Sequence, residues 1–254
     1  MLWRDRLSYA RSLLITAPLI FLYTAILASI SLASSLVDAR GRLQHGCARM
    51  WARLILWTSR IRLSVQGVEN LKPGTPYVLC ANHQSHMDTP IVLAALPLQF
   101  RFTPKKELFR IPFLGWHLRR SGHVPIDREN PHAAVKSLRE AADTIRRGTP
   151  VVVFPEGGTS QDGSIRPFKG GGFMLASRSE ADVVPVAIRG SRATLMPKTY
   201  HVRSGNVEVI IGRPISSQGV STSELANRVR DDVVAMFKNG KTLDRNSYSL
   251  SREV

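Results

Sequence analysis

The longest hydrophobic feature of the chain is an uncharged run near its N-terminus, from Ser12 to Val37. As an α-helix this run would extend about 39 Å, which exceeds the ~30 Å hydrocarbon core of a bilayer. The pattern predicts a membrane-anchoring helix over residues 12–37. Pro18 and the serine-rich second half leave open a re-entrant or tilted pair of half-helices. A cleaved signal peptide, which has a shorter apolar core, and a buried core helix are the alternatives.

The following segment, residues 41–60, is amphipathic with the period of an α-helix. Four arginines share one direction on a helical wheel, and an apolar arc with two tryptophans lies beside them. This pattern is typical of a helix in the membrane interface, although a helix packed on a folded domain would have it too. We therefore assign residues 1–60 to an N-terminal membrane anchor. The arginines are Arg42, Arg49, Arg53 and Arg60, and the arc contains Leu43, Cys47, Met50, Trp51, Leu54, Ile55 and Trp57.

From about Ile61 onward, short apolar runs alternate with helical patterns. The clearest strand is PVVVFP, because it contains a continuous run of β-branched residues. Two helices are predicted, over residues 130–148 and from Ser221 onward, each beginning at a capping residue. The alternation predicts an α/β domain over residues 61–238, with a mixed, largely parallel central sheet flanked by helices, and a polar tail over residues 239–254. The other strand candidates are LSVQG, YVLCAN, FRFTPK, HVPIDR, DVVPVAI and NVEVIIG.

Composition and charge restrict the class of protein. Hydrophobic residues make up 43% and charged residues 21% of the chain, which suits a folded protein rather than a disordered one. The net charge of +16 implies an anionic partner: nucleic acid, an anionic membrane surface or a phosphorylated substrate. No nucleic-acid-binding motif is recognisable, so we expect no nucleic acid partner. Cys47 and Cys80 have no metal-ligand spacing, which predicts free thiols and no metal site.

The candidate chemistry lies in the polar cluster ANHQSHMD, residues 81–88, which follows a predicted strand ending at Cys80. A tight turn into a helix would bring Asp88 to His83. The carboxylate could then accept the imidazole Nδ1–H and leave Nε2 free to take a proton from a hydroxyl group. His86 is a rival base in the same loop. Because a His-x4-Asp spacing is weak evidence by itself, a pair of solvated side chains and a metal site remain alternatives.

Three further motifs follow this cluster in order. They are KKELFRIPFLGWHLRRSGHVPIDR at residues 105–128, FPEGGTS at 154–160 and VVPVAI at 183–188. FPEGGTS directly follows a buried strand, where an acidic residue between proline and glycine is typical of a site loop. In this order the four motifs resemble those of the lysophosphatidic acid acyltransferase family, the glycerophospholipid acyltransferases. The resemblance extends from about Gly67 to Ile215, and the ordered set is far more specific than any one motif.

The resemblance implies a role for each matching residue. In the first motif His83 would be the catalytic base and Asp88 its orienting acid. Residues of the second and third motifs, with a nearby lysine, would bind the acceptor and its phosphate. The fourth motif would form part of the wall that contacts the acyl donor. The implied acceptor-binding residues are Lys105, Arg128, Glu156, Gly157 and Lys169, and the implied acyl-donor wall contains Pro185 and Val186.

One position departs from the family pattern. The third motif usually reads Phe-Pro-Glu-Gly-Thr-Arg-Ser, but here Gly158 and Thr159 occupy the Thr-Arg positions. The loss of this arginine leaves two interpretations open. A phosphate could be bound by Arg128, Arg166 or Lys169 instead, or the acceptor could carry a different head group.

The implied reaction transfers a fatty acyl group from an acyl thioester to the free hydroxyl of 1-acylglycerol 3-phosphate, which gives phosphatidic acid. Glycerol 3-phosphate, another lysophospholipid or a lyso-aminolipid are alternative acceptors, and both acyl-CoA and acyl-carrier protein are candidate donors. Because a thiolate leaves readily, we expect no cofactor and no metal. The alternative outside this family is a basic membrane-surface adaptor without enzymatic activity.

The charges on either side of the apolar run predict an orientation. Arginines that follow the run slightly outnumber those that precede it. By the positive-inside rule this excess favours an enzyme at the cytoplasmic (inner) membrane, with its catalytic domain facing the cytoplasm. The lipid bilayer is then an expected partner, together with the lysophospholipid acceptor and the acyl donor.

Overall fold

The computed structural model describes residues 3–38, 40–127 and 131–240. Arg128 and the tail beyond Gly240 lie outside the described residues. In chain order the helices are α1 (Trp3–Arg11), α2 (Ala17–Ser34), α3 (Arg42–Thr58), α4 (Asp88–Ala95), α5 (Leu114–Arg120), α6 (Pro131–Arg146), α7 (Gly171–Ser179), α8 (Ser191–Thr194) and α9 (Thr222–Asn239). The strands are β1 (Ile61–Gln66), β2 (Tyr77–Ala81), β3 (Arg101–Phe102), β4 (Val151–Val153), β5 (Asp182–Arg189) and β6 (Gly205–Ile211).

The N-terminal segment is one long helix followed by a second helix that turns back against it. A π-helical turn at Ser12–Thr16 joins α1 to α2. The stretch Asp5–Ser34 is long enough and apolar enough to cross a membrane, by length and composition. α3 packs on α2, and a hydrogen bond from Trp51 Nε1 to Thr24 Oγ1 (2.9 Å) joins the two helices. The amphipathic helix predicted from the arginine stripe is therefore confirmed, and one of its faces contacts protein.

One six-stranded sheet forms the centre of the rest of the described chain, in the order β1-β6-β5-β2-β4-β3. Neighbouring strands are parallel except for β5 and β6, which pair antiparallel. The predicted mixed, largely parallel sheet is confirmed. One predicted strand is wrong: the described part of HVPIDR forms only an isolated bridge, between Lys105 and Ile126. Pro125 has no N–H with which to continue a ladder.

Helices cover both faces of the sheet, which explains why its central strands are continuously apolar. α3 and α4 cover one face, where Leu79 and Val184 are buried. α6, α7 and α9 cover the other face, where Val78 and Val183 are buried. Successive residues of a central strand therefore belong to opposite layers of the core.

The register of two central strands determines where the site forms. β2 and β4 are parallel, and Cys80 of β2 pairs with Val153 of β4. Both strands therefore end at the same edge of the sheet. The loops that follow them, residues 82–87 and 154–160, leave this edge side by side, and they carry the first and third motifs.

Candidate active site

The first motif leaves β2 as a tight turn that is fixed at both ends. Asn82 is buried and pairs with the backbone of Ile188 in β5: its Oδ1 accepts a hydrogen bond from Ile188 N (2.7 Å) and its Nδ2 donates to Ile188 O (3.0 Å). Further along, the Ser85 hydroxyl donates to Leu195 O (2.7 Å). These contacts give the turn a defined shape that does not depend on a substrate.

The turn brings His83 against the carboxylate of Asp88, as the spacing predicts. His83 Nδ1 lies 2.9 Å from Asp88 Oδ2. The same oxygen accepts hydrogen bonds from Gln84 N (2.7 Å) and Ser85 N (2.9 Å), so three donors converge on one carboxylate oxygen. The Asp88 side chain is completely buried, whereas that of His83 is 13% exposed. The contact with the carboxylate assigns the imidazole proton to Nδ1 and leaves Nε2 as the basic nitrogen.

The third motif holds His83 from another side. The carboxylate of Glu156 is buried, and its Oε1 accepts a hydrogen bond from His83 N (2.7 Å) while its Oε2 accepts one from Arg166 N (3.1 Å). Ser160 N donates to His83 O (2.8 Å). Burial raises the pKa of Glu156, whereas the two N–H donors and the Arg166 charge favour its ionised form. Both backbone polar groups of His83 are thus bonded to the third motif.

An aromatic stack lies between two cavities at this edge of the sheet. The ring of Phe154 stacks on His83, with centroids 4.2 Å apart, and on Phe102, with centroids 6.2 Å apart. Phe102 lines a largely apolar cavity of about 100 Å³ between α2, α3, α4 and α5. Phe154 lines a second, more polar cavity of about 230 Å³. The second cavity also contacts Lys169 and Asp127.

Gly157 brings the backbone of the third motif against Lys169. It has a φ of +76°, and a Cβ at this position would lie 2.9 Å from Lys169 Nζ. The positive φ favours glycine here, and the absence of a side chain lets the end of Lys169 lie against the turn. Lys169 N donates to Pro155 O (2.9 Å), which fixes the lysine beside the turn.

Residues 62–189, which include the first and third motifs, match the model of the family described as Acyltransferase. The chain belongs to the acyltransferase family. This confirms the membership that the four ordered motifs predict, and it places the edge of β2 and β4 inside the matching region.

Individual acyltransferases agree with this assignment. A chloroplastic 1-acyl-sn-glycerol-3-phosphate acyltransferase of Arabidopsis thaliana is 34% identical over 197 residues, or 76% of this chain and 54% of that protein. The 1-acyl-sn-glycerol-3-phosphate acyltransferase of Saccharomyces cerevisiae is 30% identical over 239 residues, or 91% of this chain and 78% of that protein. The chain spans 54–63% of the length of the plant and algal relatives that it matches.

A solved acyltransferase structure has the same architecture. The crystal structure of the 1-acyl-sn-glycerophosphate (LPA) acyltransferase PlsC from Thermotoga maritima superposes with a TM-score of 0.74 at 27% sequence identity. The match covers 87% of this chain and 94% of that chain. It therefore extends well beyond the sheet and confirms the α/β fold predicted for this acyltransferase.

The residues predicted to bind the acceptor do not all lie together in this acyltransferase. Gly157 and Lys169 both line the second cavity. Lys105 lies at the start of a 3-10 turn, with its Nζ 3.6 Å from Glu107 Oε2. Arg128 lies outside the described residues. Glu156 is 2% exposed, and its carboxylate is bonded to the backbone N–H groups of His83 and Arg166.

The residues predicted to form an acyl-donor wall lie inside the sheet. Pro185 and Val186 lie in the middle of β5, where they pair with Cys80 and Ala81 of β2. Both are buried, and Val186 belongs to the core beneath α3 and α4. Neither lines either of the two cavities at the site. The side chains of a central strand that is covered by helices on both faces are buried in the core, and this is where both residues lie.

Two arginines that the sequence did not single out hold the loop of the third motif. Arg192 donates to Ser160 O (2.9 Å) and Gln161 O (2.6 Å). Arg230, on α9, donates to the carbonyls of residues 165–166 (3.1 and 3.3 Å). Their partners are carbonyl groups distant in sequence, so no local pattern could have identified them. These two basic residues therefore fix the loop.

The remaining candidate chemistry of the acyltransferase is limited. In the part of the chain that the structure describes, no group of three or more His, Cys, Asp or Glu side chains is arranged to hold a metal ion. Cys47 and Cys80 are free thiols, as predicted. Burial raises the pKa of Cys80, which disfavours the thiolate and makes this residue part of the core rather than a nucleophile.

Proposed function

We propose that the protein is a 1-acylglycerol-3-phosphate O-acyltransferase, which uses an acyl thioester to acylate the free hydroxyl of a lysophosphatidic acid and releases phosphatidic acid. The observation that carries this proposal is the His83–Asp88 pair. It holds an imidazole with a basic Nε2 at the edge of β2 and β4, and this ring stacks on Phe154, which lines the same cavity as Lys169. The relatives from Arabidopsis thaliana and Saccharomyces cerevisiae are named for this reaction.

The chain's own residues account for the proton movements of the reaction. His83 Nε2 takes the proton of the acceptor hydroxyl as that oxygen attacks the thioester carbonyl, and Asp88 stabilises the imidazolium that forms. The tetrahedral intermediate then collapses, the C–S bond breaks, and the imidazolium returns the proton to the departing thiolate. Glu156 and Ser160 hold the His83 backbone throughout, so that the imidazole does not have to reorganise.

One cavity suits an acyl chain, and the other suits the head group of the acceptor. The first is lined by side chains such as Leu27, Trp51 and Leu93 and suits an acyl chain. The second contains the ammonium of Lys169 and suits a phosphorylated head group. His83 stacks on Phe154, which lines the second cavity, and Phe154 stacks on Phe102, which lines the first.

The test is an acyl-transfer assay with purified full-length protein against a panel of acceptors and both classes of donor. We expect lysophosphatidic acid to have the highest kcat/KM, with glycerol 3-phosphate and zwitterionic lysophospholipids well below it. If a zwitterionic lysophospholipid or a lyso-aminolipid proved the best acceptor, the substitution at Thr159 would mark a change of head group. The absence of transfer to every acceptor, from acyl-CoA and from acyl-carrier protein, would refute an acyltransferase function.

We infer that the N-terminal helix binds the membrane along one side rather than as an isolated span. Ser12 Oγ donates to Tyr200 O (2.9 Å), and Ser31 Oγ lies 2.6 Å from His117 Nδ1. These contacts are about 28 Å apart along the helix, so the catalytic domain lies beside it over most of that length. The opposite side is strongly exposed, as Leu14 and Phe21, each 77% exposed, illustrate. This location, at the cytoplasmic membrane, would bring the site to an acceptor that is itself held in the bilayer.

Replacing both Leu14 and Phe21 by aspartate should release much of the protein from membranes. Each exposed side chain contributes about 1.5–3 kcal/mol when it is buried in an apolar phase, and the fold should persist because neither side chain is buried in the protein. Co-sedimentation with anionic vesicles at high salt measures the effect. Val68→Asp, which changes a similarly apolar surface residue outside the helix, is the control. Equal sedimentation of the double variant and the control would contradict insertion of this face.

A further inference from the structure

Two cations flank the glycine turn of the third motif. A Cβ built on Gly157 would lie 2.9 Å from Lys169 Nζ, and one built on Gly158 would lie 3.7 Å from Arg166 Nη2. The two glycines therefore each face a different positively charged side chain. Both cations come from the loop that follows the motif, a few residues beyond Thr159.

Arg166 is held in place by contacts with the turn, and part of its guanidinium group remains available to bind a ligand. Its Nη2 donates to Gly158 O, and its backbone N donates to Glu156 Oε2 (3.1 Å). Its Nε lies 3.6 Å from the same carboxylate oxygen and has no hydrogen-bond partner among the described residues. The side chain is nevertheless 40% exposed. One edge of the guanidinium is therefore fixed against protein, and another remains open to a ligand.

Two other arginines contact this loop from neighbouring helices, and their guanidinium groups are bonded to backbone carbonyls. Arg192 and Arg230 each use two guanidinium nitrogens to bind backbone carbonyls of the loop. They shape the loop on which Arg166 sits. Arg166 alone among the three contacts both the glycine turn and Glu156, the residue that also binds His83 N. One buried carboxylate thus ties the guanidinium to the candidate base.

The charges near the turn are not balanced by protein. Within the described residues, the Lys169 ammonium has no ion-pair partner. Asp127 lines the same cavity, but it pairs with Lys106 Nζ (2.7 Å). Glu156 is the one acid close to Arg166 in the described chain. Two cations against one buried carboxylate leave an excess that a phosphate monoester, with a charge of about −1.5 to −2 at neutral pH, could neutralise.

We propose that Arg166 and Lys169 together bind the phosphate of the acceptor, one from each side of the glycine turn. Arg166 thereby supplies from the following loop the guanidinium that position 159 lacks, and Thr159 marks a relocation of the cation instead of a change of head group. This inference rests on the proposed function. A planar guanidinium can form two parallel hydrogen bonds with phosphate oxygens, and the lysine adds a point charge.

The decisive variant is Arg166→Gln, which keeps an amide near the position of Nε, beside Glu156, but removes the charge and the Nη2 donor. We expect the KM for lysophosphatidic acid to rise about 10- to 150-fold, as for the loss of a charged hydrogen bond, with little change in the KM for the acyl donor. The preference for lysophosphatidic acid over the matching monoacylglycerol should fall by a similar factor. Adding Thr159→Arg to Arg166→Gln should restore part of that preference.

Arg192→Ala is the matched control, because it removes two hydrogen bonds from the same loop without removing a cation from the turn. It should lower kcat or thermal stability and leave the preference between the two acceptors unchanged. If Arg166→Gln and Arg192→Ala move the two KM values alike, Arg166 only supports the loop and the inference is wrong. If Arg166→Gln fails to fold, Lys169→Gln tests the inference instead. A selective rise in the KM for the acceptor supports phosphate binding by both cations, and an unchanged KM overturns it. Wild-type protein that does not acylate lysophosphatidic acid would instead refute the proposed function.

Discussion

Replacing His83 by alanine should lower turnover at least 100-fold, the lower range for the loss of a general base. The imidazole is the one group at the edge of β2 and β4 that combines a fixed Nδ1 contact with a free Nε2. Its side chain is 13% exposed and stacks on Phe154, so truncation leaves a small gap, and the buried Asp88 carboxylate keeps its two backbone N–H donors. The fold and membrane association should therefore persist, which thermal unfolding and vesicle binding can verify.

His86→Ala provides the matched control for this experiment. His86 lies in the same turn, with its ring centroid 6.5 Å from that of His83, but its side chain is exposed and is not bonded to Asp88. We expect its loss to lower turnover only a few-fold. A larger loss of turnover in His86→Ala than in His83→Ala would show that His86, and not His83, is the base. Near-normal turnover in both variants would remove the pair from the mechanism.

Local sequence information was sufficient to predict the His83–Asp88 pair. His83 and Asp88 are five residues apart, and the turn between them follows directly from a buried strand and precedes a helix. A contact over so short a segment depends little on the rest of the fold. For the same reason the helix with the arginine stripe and the strand at Val151–Val153 could be predicted, since each depends on its own periodicity or composition.

The parts of the site that escaped prediction depend on contacts between distant segments. Glu156 binds the backbone of a residue that lies 73 positions earlier. Its role could not follow from the motif, because a buried acid bonded to backbone amides and an acid that binds a ligand have the same sequence. Likewise, Pro185 and Val186 belong to the core because β5 lies between β6 and β2, and strand order is not encoded in local patterns.

The N-terminal helix shows how one pattern can serve two environments. Its serines and threonines weaken the hydrophobic signal, yet several of them form the side that contacts the domain. Ser12, Thr16 and Ser31 are completely buried, and Thr24 accepts the hydrogen bond from Trp51. Their spacings of four, eight and seven residues are each close to a whole number of helical turns, which places them on one side of the helix. The sequence identified the apolar helix, but the partner of its polar stripe became clear only from the tertiary structure.

Replacing Asp88 by asparagine should separate the charge of this residue from its structural role. All three of its donors, His83 Nδ1, Gln84 N and Ser85 N, converge on Oδ2. The two backbone N–H groups will hold the amide oxygen of an asparagine at that position, because an NH₂ group there would face donors. The imidazole should therefore keep its proton on Nδ1, and only the stabilisation of the imidazolium by the negative charge should be lost.

We expect Asp88→Asn to lower kcat roughly 100-fold, which corresponds to a charged hydrogen bond of about 1.5–3 kcal/mol. This is less than the ~10⁴-fold loss that follows when such a substitution also reverses the imidazole tautomer. Its NH₂ group would occupy the site of Oδ1, which is buried without a hydrogen-bond partner among the described residues, so a loss of stability of about 1–3 kcal/mol should accompany it.

Asp88→Ala is the informative comparison, because it removes the acceptor of all three donors. Gln84 N and Ser85 N would then be left unbonded in the turn, at about 1–3 kcal/mol each, and the imidazole would lose its orientation. We expect this variant to lose more stability and more turnover than Asp88→Asn, as measured by thermal unfolding and by kcat at saturating acceptor. If Asp88→Asn kept turnover within about threefold of the wild type while Asp88→Ala unfolded, Asp88 would shape the turn without stabilising the imidazolium. His83 would then act as a base whose strength depends on its position alone.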